Sequence, residues 1–362
     1  MDLSPMKSVG RPHNCGGFFQ FRGKSVNLIA CVTLALVSLA FSLFVAEGIV
    51  RLLTKYELID SLKPFGQYMN YSDRRYNLKN NPIFRRSDDP DLGWEAIPGI
   101  HRDGAIRINS AGFRGPEYAL TAPPGKKRLA FIGDSETFGE LMPETDTITA
   151  KLQGELDRRA LSYEVLNFGV VGYNSEQEWA LLRKKVIDYH PDAVVVYYVF
   201  NDPELPQRTL FFQGSGLLRN SYLYNLYLWY RVSQIDKGHA EVRFDGYVKY
   251  YHNLHNSKYF ERVEDIIRKM GDYCGSRGIR FILLIAPEVY QIPDLSENYP
   301  YYNIHAKLKR LTSDTIEVVD PLPELAKAWD PSNPKTLWSR EYDPHKNGKA
   351  SEAISRALAS ML

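Results

Sequence analysis

The chain contains little cysteine and almost no net charge. Only three of its 362 residues are cysteines. Cys274 is the only one of them after residue 50, which excludes a disulfide framework in that part of the chain. Lysine and arginine total 45, against 43 aspartates and glutamates, so the formal net charge is +2. This balance gives no electrostatic argument for a nucleic-acid partner.

Two common enzyme signatures are also missing. The sequence has no Gly-x-Ser-x-Gly motif and no Walker-type phosphate-binding loop, which argues against an α/β-hydrolase and against a nucleotide-dependent enzyme. His252 and His255 are spaced as two metal ligands can be, but no third ligand lies at a recognisable spacing from them. We therefore predict neither a cofactor nor a metal site.

One long hydrophobic run is present, near the N-terminus. Leu28 to Ala46 carries no charge, and at about 1.5 Å per helical residue the segment 26–50 can cross a hydrocarbon core of about 30 Å. Basic residues dominate the segment before it, which predicts that residues 1–25 are cytoplasmic. The remainder would then face the periplasm or the exterior, on the outer side of the inner (cytoplasmic) membrane. A cleaved signal peptide is the alternative, although Ala46-Glu47-Gly48 is a poor cleavage site.

The rest of the chain divides by composition. Residues 51–125 lack a long periodic run and are interpreted as a juxtamembrane connector and an irregular module, in which 109–115 (NSAGFRG) forms a packing hairpin. Two prolines and a glycine mark the boundary that follows. From 126 to 362 short apolar runs alternate with helical patterns. This alternation predicts a three-layer α/β/α sandwich with a parallel sheet.

An aromatic-rich insertion, at about 203–256, interrupts the alternation. Its centre, Tyr222 to Tyr230, reads YLYNLYLWY. Leucine and tyrosine at helical spacing favour a packing role. The alternative is a lid or wall beside the active edge of the sheet, where aromatic faces could stack on sugar rings. Both interpretations remain open.

The stretch Arg128 to Gly139 contains the first strand of the predicted sheet and the residues that follow it. Its apolar part is typical of a strand buried on both faces of a parallel sheet. Gly133 ends that strand, so Asp134 and Ser135 lie in a loop at the carboxyl edge of the sheet, where ligands bind in open α/β folds. Ser135 is either the cap of the next helix or a nucleophile.

The triplet formed by Gly133, Asp134 and Ser135 resembles the nucleophile block of the SGNH, or GDSL, hydrolases. Three later stretches resemble the other blocks of that family: Asn167–Asn174, Val199–Asp202 and Asp343–Gly348. The resemblance covers about 128–362 and is to membrane-anchored bacterial members. It implies an SGNH (flavodoxin-like) fold and a hydrolase that acts on ester bonds.

The resemblance also implies roles for individual residues. Ser135 would be the nucleophile, His345 the base and Asp343 its orienting carboxylate. The oxyanion hole would consist of the Ser135 amide, the Gly172 amide and the Asn201 side chain, with Gly169 as the alternative glycine. Proline follows Asp343 and favours an extended backbone, which places side chains two residues apart on the same side of the chain.

Two positions differ from the family pattern. Val199 stands where a glycine is usual, which places the local backbone in question. Glu136 lies directly beside the nucleophile. It could crowd the site and repel an anionic substrate, or it could point to solvent.

The expected function is that of a membrane-anchored serine esterase acting on acyl esters, above all O-acetyl esters. The expected partners are an acylated small molecule or an envelope or exported glycan, together with the membrane through the N-terminal helix. Two alternatives remain open. The acyl group could pass to a sugar hydroxyl, which would make the chain an O-acyltransferase, or the fold could be a non-catalytic glycan-binding component.

Overall fold

The computed structural model describes residues 24–56, 58–59, 62, 83–101, 105–140, 142–204, 221–227, 247–290, 292, 294–340 and 343–362. The strands within these residues are β1 (Phe84–Arg86), β2 (Trp94–Ala96), β3 (Gly99–His101), β4 (Ile106–Ile108), β5 (Lys127–Gly133), β6 (Tyr163–Gly169), β7 (Ala193–Tyr198), β8 (Arg280–Ile285), β9 (Glu317–Val319), β10 (Trp338–Arg340) and β11 (Asp343–Lys346). The helices are α1 (Lys24–Lys55), α2 (Ser135–Phe138), α3 (Ile148–Arg158), α4 (Ser175–Lys184), α5 (Tyr247–Leu254), α6 (Lys258–Gly275), α7 (Tyr302–Lys309), α8 (Leu322–Ala328) and α9 (Gly348–Ala359).

Strands β5 to β9 form one parallel sheet in the spatial order β6-β5-β7-β8-β9. Counted along the chain, this is the order 2-1-3-4-5 of flavodoxin-like doubly wound folds. The register pairs Gly133 with Gly169, and Ile132 with Val196. The carboxyl ends of the three neighbouring strands β6, β5 and β7 therefore lie side by side. The predicted α/β fold with a parallel sheet is confirmed.

Helices cover both faces of this sheet. The chain runs from β5 outward to β6 and then returns past β5 to β7, so right-handed crossovers place α3 and α4 on opposite faces. Helix α3 packs against α9, and α4 packs against α6. Strand β7 is consequently buried along its whole length. This burial explains why its sequence, AVVVYY, is apolar throughout.

Helix α1 is a single helix of 32 residues. From Leu28 to Lys55 it is long and apolar enough to cross a membrane. Its apolar side chains from Leu28 to Val45 are exposed, as are those of Ile49 and Leu52. The predicted span, residues 26–50, lies within it.

Part of the predicted insertion is described, and it packs on α1. The carboxylate of Glu47 accepts hydrogen bonds from the backbone amides of Tyr222 and Leu223, each at 2.8 Å. The side chains of Tyr222 and Leu223 also pack against Val50. These contacts favour the packing interpretation of the aromatic centre, of which residues 228–230 lie outside the described residues.

Short hairpins connect α1 to the sheet domain, and one of them supports the loop after β6. The indole of Trp94 is fully buried, and its Nε1 donates to the carbonyl of Val171 at 2.9 Å. The hydroxyl of Tyr173 donates to the carbonyl of Trp94 at 2.6 Å. Because Val171 and Tyr173 flank Gly172, the hairpin of β1 and β2 fixes the loop that carries this glycine.

Candidate active site

Ser135 lies at the point where β5 ends and α2 begins. The side chain of Asp134 caps this short helix by accepting a hydrogen bond from the amide of Glu136 at 2.8 Å. Asp134 is buried, whereas Ser135 is half-buried. The strand and the cap thus present the serine hydroxyl at the carboxyl edge of the sheet, the edge that the sequence predicts. Ser135 is nevertheless the first residue of a helix and does not lie in a loop, and Asp134 is the cap of that helix.

His345 lies beside Ser135 although 210 residues separate them in the chain. Its Nε2 is 2.8 Å from Ser135 Oγ. The serine hydroxyl also lies 3.3 Å from Asp134 Oδ2, but it has a single proton, and the shorter contact is the one with the imidazole. This geometry suits proton transfer from a serine nucleophile to a histidine base.

Asp343 shares strand β11 with His345. The structure describes the backbone of Asp343 but not its side chain. An interaction between Asp343 and the imidazole therefore stays a prediction.

The loop after β6 contains both glycines considered for the oxyanion hole. The amide of Gly169 donates to Asn167 Oδ1 at 2.9 Å, and a Cβ at this position would lie 2.3 Å from the amide nitrogen of Phe138. Gly169 is thus required for close packing of β6 on α2. Gly172 is half-buried and has a φ of +76°, which favours glycine. Of the two, Gly172 suits an oxyanion contact better, and its role stays a prediction.

Val199 does not disturb the turn after β7. It is not among the described residues with positive φ, so a β-branched residue is tolerated where the family has glycine. The amide of Asp202 donates to the carbonyl of Val199 at 3.0 Å, and the amide of Val199 donates to Asp202 Oδ2 at 3.1 Å. These two hydrogen bonds close the turn that presents Asn201.

The side chain of Asn201 is half-buried at the same edge of the sheet as Ser135. Among the described residues, none accepts a hydrogen bond from its amide group, and none donates to its buried oxygen. An amide with no protein acceptor is a suitable donor to a developing oxyanion.

Glu136 does not point to solvent. Its side chain is 7% exposed and lies 3.1 Å from the ammonium of Lys346, which is 3% exposed. The expectation of a solvent-facing Glu136 is therefore wrong, and its effect on an anionic substrate stays a prediction. The sequence gives no sign of the ion pair, because its partner is 210 positions away.

Asp134, next to the serine, is buried, as are two other acidic residues, Glu178 and Asp202. Burial and the negative charge of Glu136 raise the pKa of Asp134 from 3.8 to about 6. Burial raises the pKa of Glu178 well above its usual value, and the nearby Asp134 charge adds to this effect. Burial, together with the negative charge of Glu178, likewise raises the pKa of Asp202 well above its usual value. A raised pKa favours the neutral, protonated form of a buried carboxyl group.

Asp134 makes stability depend on pH. Its folded-state pKa lies above the unfolded value, so the native state loses stability as pH rises from about 4 to about 6 and does not regain it above. The rise to about 6 corresponds to about 3 kcal/mol. Asp134→Asn removes the charge and keeps the capping oxygen. We expect urea unfolding of the full-length protein in detergent to show a gain of up to about 3 kcal/mol at pH 8.

This gain should fall below about 1 kcal/mol by pH 4, where Asp134 is protonated in the folded state and partly protonated in the unfolded state. The exposed Asp188 provides the control, because Asp188→Asn should change the free energy of unfolding by no more than about 0.5 kcal/mol. A gain for Asp134→Asn that is equal at pH 4 and pH 8 would contradict the assignment of a raised pKa.

Arg114 supports the other end of α2. It is buried, and its guanidinium donates to the carbonyls of Phe138 at 2.7 Å and Met142 at 2.6 Å, and to that of Gly139. A cation at the C-terminal end of a helix satisfies carbonyls that have no partner within the helix. The packing hairpin predicted at 109–115 thus also stabilises the helix that begins with Ser135, a role that the sequence does not reveal.

The two histidines with metal-like spacing have protein partners. His252 Nε2 lies 2.9 Å from the carbonyl of Pro300. His255 Nδ1 lies 2.8 Å from the carbonyl of Tyr251, and His255 Nε2 lies 2.8 Å from the hydroxyl of Tyr198. Both rings belong to the hydrogen-bonded packing around α5.

Comparisons with known proteins find no matching family model and no matching curated protein. Solved structures do match. An acetyl xylan esterase, AlAXEase, is 16% identical over 65% of this chain and 99% of its own, with a TM-score of 0.42. TesA is 13% identical over 64% and 96%, with a TM-score of 0.39.

A putative lipolytic protein of the G-D-S-L family from Desulfitobacterium hafniense DCB-2 also matches. It is 17% identical over 66% of this chain and 100% of its own, with a TM-score of 0.37. Identities this low leave the function to be argued from the site itself.

Proposed function

We propose that this chain is a serine esterase in which Ser135 is the nucleophile and His345 is the general base. The observation that carries the proposal is the 2.8 Å contact between Ser135 Oγ and His345 Nε2. The serine lies at the carboxyl edge of a parallel sheet, and its hydroxyl is within hydrogen-bond distance of an imidazole. This is the arrangement of nucleophile and base that acyl transfer requires.

In the proposed reaction, Ser135 Oγ attacks the ester carbonyl while its proton passes to His345 Nε2. The bond between the acyl carbon and the alcohol oxygen then breaks as this proton returns to the leaving alcohol. Water then attacks the acyl-enzyme and loses a proton to His345. As the bond between the acyl carbon and Ser135 Oγ breaks, this proton returns to Ser135 Oγ and the acid is released. Asp343 would hold the imidazole in the required tautomer by accepting from Nδ1.

The negative charge that develops on the carbonyl oxygen needs donors already in place. We propose the amide of Ser135, the amide of Gly172 and the carboxamide of Asn201. Support for this set comes from the strand order: β6, β5 and β7 are adjacent. The loops that follow these strands therefore meet at one edge, with Ser135 in the middle.

Substrate assays test the proposed reaction. The proposed substrates are acyl esters, with O-acetylated envelope or exported glycans as the preferred class. We expect the full-length protein to hydrolyse 4-nitrophenyl acetate and to release acetate from O-acetylated oligosaccharides, and Ser135→Ala to do neither. Equal turnover by the parent and Ser135→Ala would contradict the proposal.

The same assays separate the two alternative functions. Acetyl transfer to an added acceptor sugar, in place of acetate release, would identify an O-acyltransferase. Glycan binding of equal affinity in the parent and Ser135→Ala, without turnover by the parent, would identify a binding component.

We also propose that α1 is an uncleaved anchor, with the sheet domain on the periplasmic or extracellular side. Support comes from Glu47, which lies inside α1 and accepts hydrogen bonds from Ser221 Oγ at 2.7 Å and from two amides of the same segment. About 20 helical residues from Leu28 to Glu47 span about 30 Å. Glu47 would then lie at the outer boundary of the hydrocarbon core.

The mass of the protein extracted from membranes tests this proposal. An uncleaved anchor predicts a chain that retains α1 and stays in the membrane fraction after a high-salt wash. A mature chain that begins near residue 48, released into the soluble fraction, would contradict it.

A further inference from the structure

Two buried charges flank the proposed nucleophile and base. Glu136 directly follows Ser135, and Lys346 directly follows His345. Glu136 Oε1 accepts from Lys346 Nζ at 3.1 Å and from the backbone amide of Lys346 at 3.3 Å. Both side chains are more than nine-tenths buried. The two chain segments that carry Ser135 and His345 are thus also joined by an ion pair.

The ion pair joins elements that come from opposite ends of the sheet domain. Glu136 belongs to α2, at the end of β5, whereas Lys346 ends β11. Within its own hairpin, β11 is paired with β10 through Lys346 and Trp338. The indole Nε1 of Trp338 donates to the carbonyl of Val289, just beyond β8, at 2.9 Å. The hairpin that carries His345 is therefore held to the sheet edge at two points, one of which is Glu136.

A second buried carboxylate belongs to this arrangement. Glu288 is 7% exposed, and its Oε1 accepts from the amides of Val289 and Tyr290 at 2.8 Å. Burial raises the pKa of Glu288, and the positive charge of Lys346 opposes this rise. Lys346 therefore serves as the counter-charge for more than one buried carboxylate at this edge.

A buried ion pair contributes little net stability, because desolvation of both charges offsets their attraction. Apolar residues of similar size in place of both partners often leave stability unchanged or higher, whereas removal of one partner leaves an uncompensated buried charge. The contribution of Glu136 and Lys346 is then geometric: a short ion pair restricts the distance between the two chain segments that bear the reacting groups.

We propose that Glu136 and Lys346 are positioning residues that hold Ser135 Oγ and His345 Nε2 at hydrogen-bond distance in the free enzyme. The inference rests on the proposed esterase function. Neither side chain needs to touch the substrate. Their effect is on the alignment of the nucleophile and base, and misplacement of reacting groups by about 1 Å can lower a rate about 100-fold.

The test compares Glu136→Gln, Lys346→Met and the double variant Glu136→Leu/Lys346→Met in the full-length protein, with 4-nitrophenyl acetate as substrate. We expect the double variant to unfold at a temperature closer to that of the parent than Lys346→Met does, because it removes both partners of the ion pair and only Glu288 loses the nearby positive charge. Its kcat should nevertheless fall about 10- to 100-fold with KM nearly unchanged. Lys346→Arg, which keeps the charge, should retain more activity than Lys346→Met.

Lys269, in an exposed ion pair with Asp265 on α6, provides the matched control. Lys269→Met should change neither kcat nor the unfolding temperature. A merely structural role would make kcat follow stability, so a double variant with parental stability and parental kcat overturns the inference. If the double variant does not fold, the isosteric Glu136→Gln decides: parental kcat in a folded Glu136→Gln protein also overturns it.

Failure of the proposed esterase function would give a different experimental result from failure of this inference. A parent that hydrolyses no ester and reacts with no serine-directed phosphonate would overturn the esterase proposal and this inference with it. An active parent with equally active Glu136 and Lys346 variants would overturn this inference alone.

Discussion

Replacement of His345 by alanine is expected to lower kcat by about 10⁴- to 10⁶-fold, with KM changed little. The loss is large because the imidazole takes the serine proton and later returns it to the leaving alcohol, and Ser135 Oγ is a weak nucleophile without it. Initial rates with 4-nitrophenyl acetate over a range of substrate concentrations separate the two constants. The expected kcat is close to that of Ser135→Ala, because nucleophile and base act as a unit.

His190 provides the control for this experiment. It is exposed and has a φ of +48°, a backbone conformation that asparagine tolerates well. His190→Asn should therefore keep parental kcat and stability. A His345→Ala protein that is folded and retains more than about a tenth of parental kcat would contradict the assignment of His345 as the base.

Replacement of Asn201 by alanine is expected to lower kcat by about 100- to 1000-fold, again with a small effect on KM. The reason is that the carboxamide donates most strongly to the oxyanion, which exists only near the transition state. Steady-state kinetics on the same ester measure this effect. The turn itself should survive, because its hydrogen bonds involve Val199 and Asp202 and not the side chain of Asn201.

Asn256→Ala, at an exposed position, is the matched control and should leave kcat unchanged. If Asn201→Ala raised KM strongly and left kcat unchanged, the carboxamide would contribute to substrate binding and not to oxyanion stabilisation. That result would remove Asn201 from the proposed oxyanion hole.

The sequence predicts the sheet well because each strand is a local pattern. Leu129 to Ile132 and Ala193 to Tyr198 are apolar without interruption, as strands with helices on both faces must be. Gly133 shows where the first of these strands ends. Given parallel strands, the residues that follow them must meet at one edge, so the proximity of Ser135 to the loops bearing Gly172 and Asn201 could be predicted.

The long-range contacts at this edge could not be predicted in the same way. Glu136 is adjacent to Ser135, and nothing in its local sequence shows that Lys346 forms an ion pair with it. Arg114 belongs to a segment for which the sequence predicts only a packing role, yet its guanidinium donates to carbonyls at the end of α2. Each of these contacts depends on tertiary packing, which brings together residues that are distant in the chain.

Helix ends were also less predictable than helix positions. The helical pattern from about Ser175 to Tyr189 predicts one helix, but α4 ends at Lys184 and a 3-10 turn, Val186–Tyr189, follows it. His190 then adopts a left-handed conformation. The apolar side chains continue across this break because both parts pack on the same core, so hydrophobic periodicity alone does not locate the helix end.

The insertion illustrates a different limit. Its aromatic centre predicts an amphipathic element without identifying the surface that this element contacts. The amides of Tyr222 and Leu223 donate to Glu47, the single acidic residue of α1. An acidic residue in such a helix requires a partner, and this requirement is the signal that could have linked the two segments.

Labelling with a serine-directed phosphonate tests the central claim most directly. The full-length protein in detergent is incubated with a fluorophosphonate, and mass spectrometry locates the adduct. The account predicts a single adduct on Ser135, its absence in Ser135→Ala, and labelling in His345→Ala that is slower by several orders of magnitude. A folded parent that stays unlabelled, or labelling that persists in Ser135→Ala, would contradict an activated serine at this edge of the sheet.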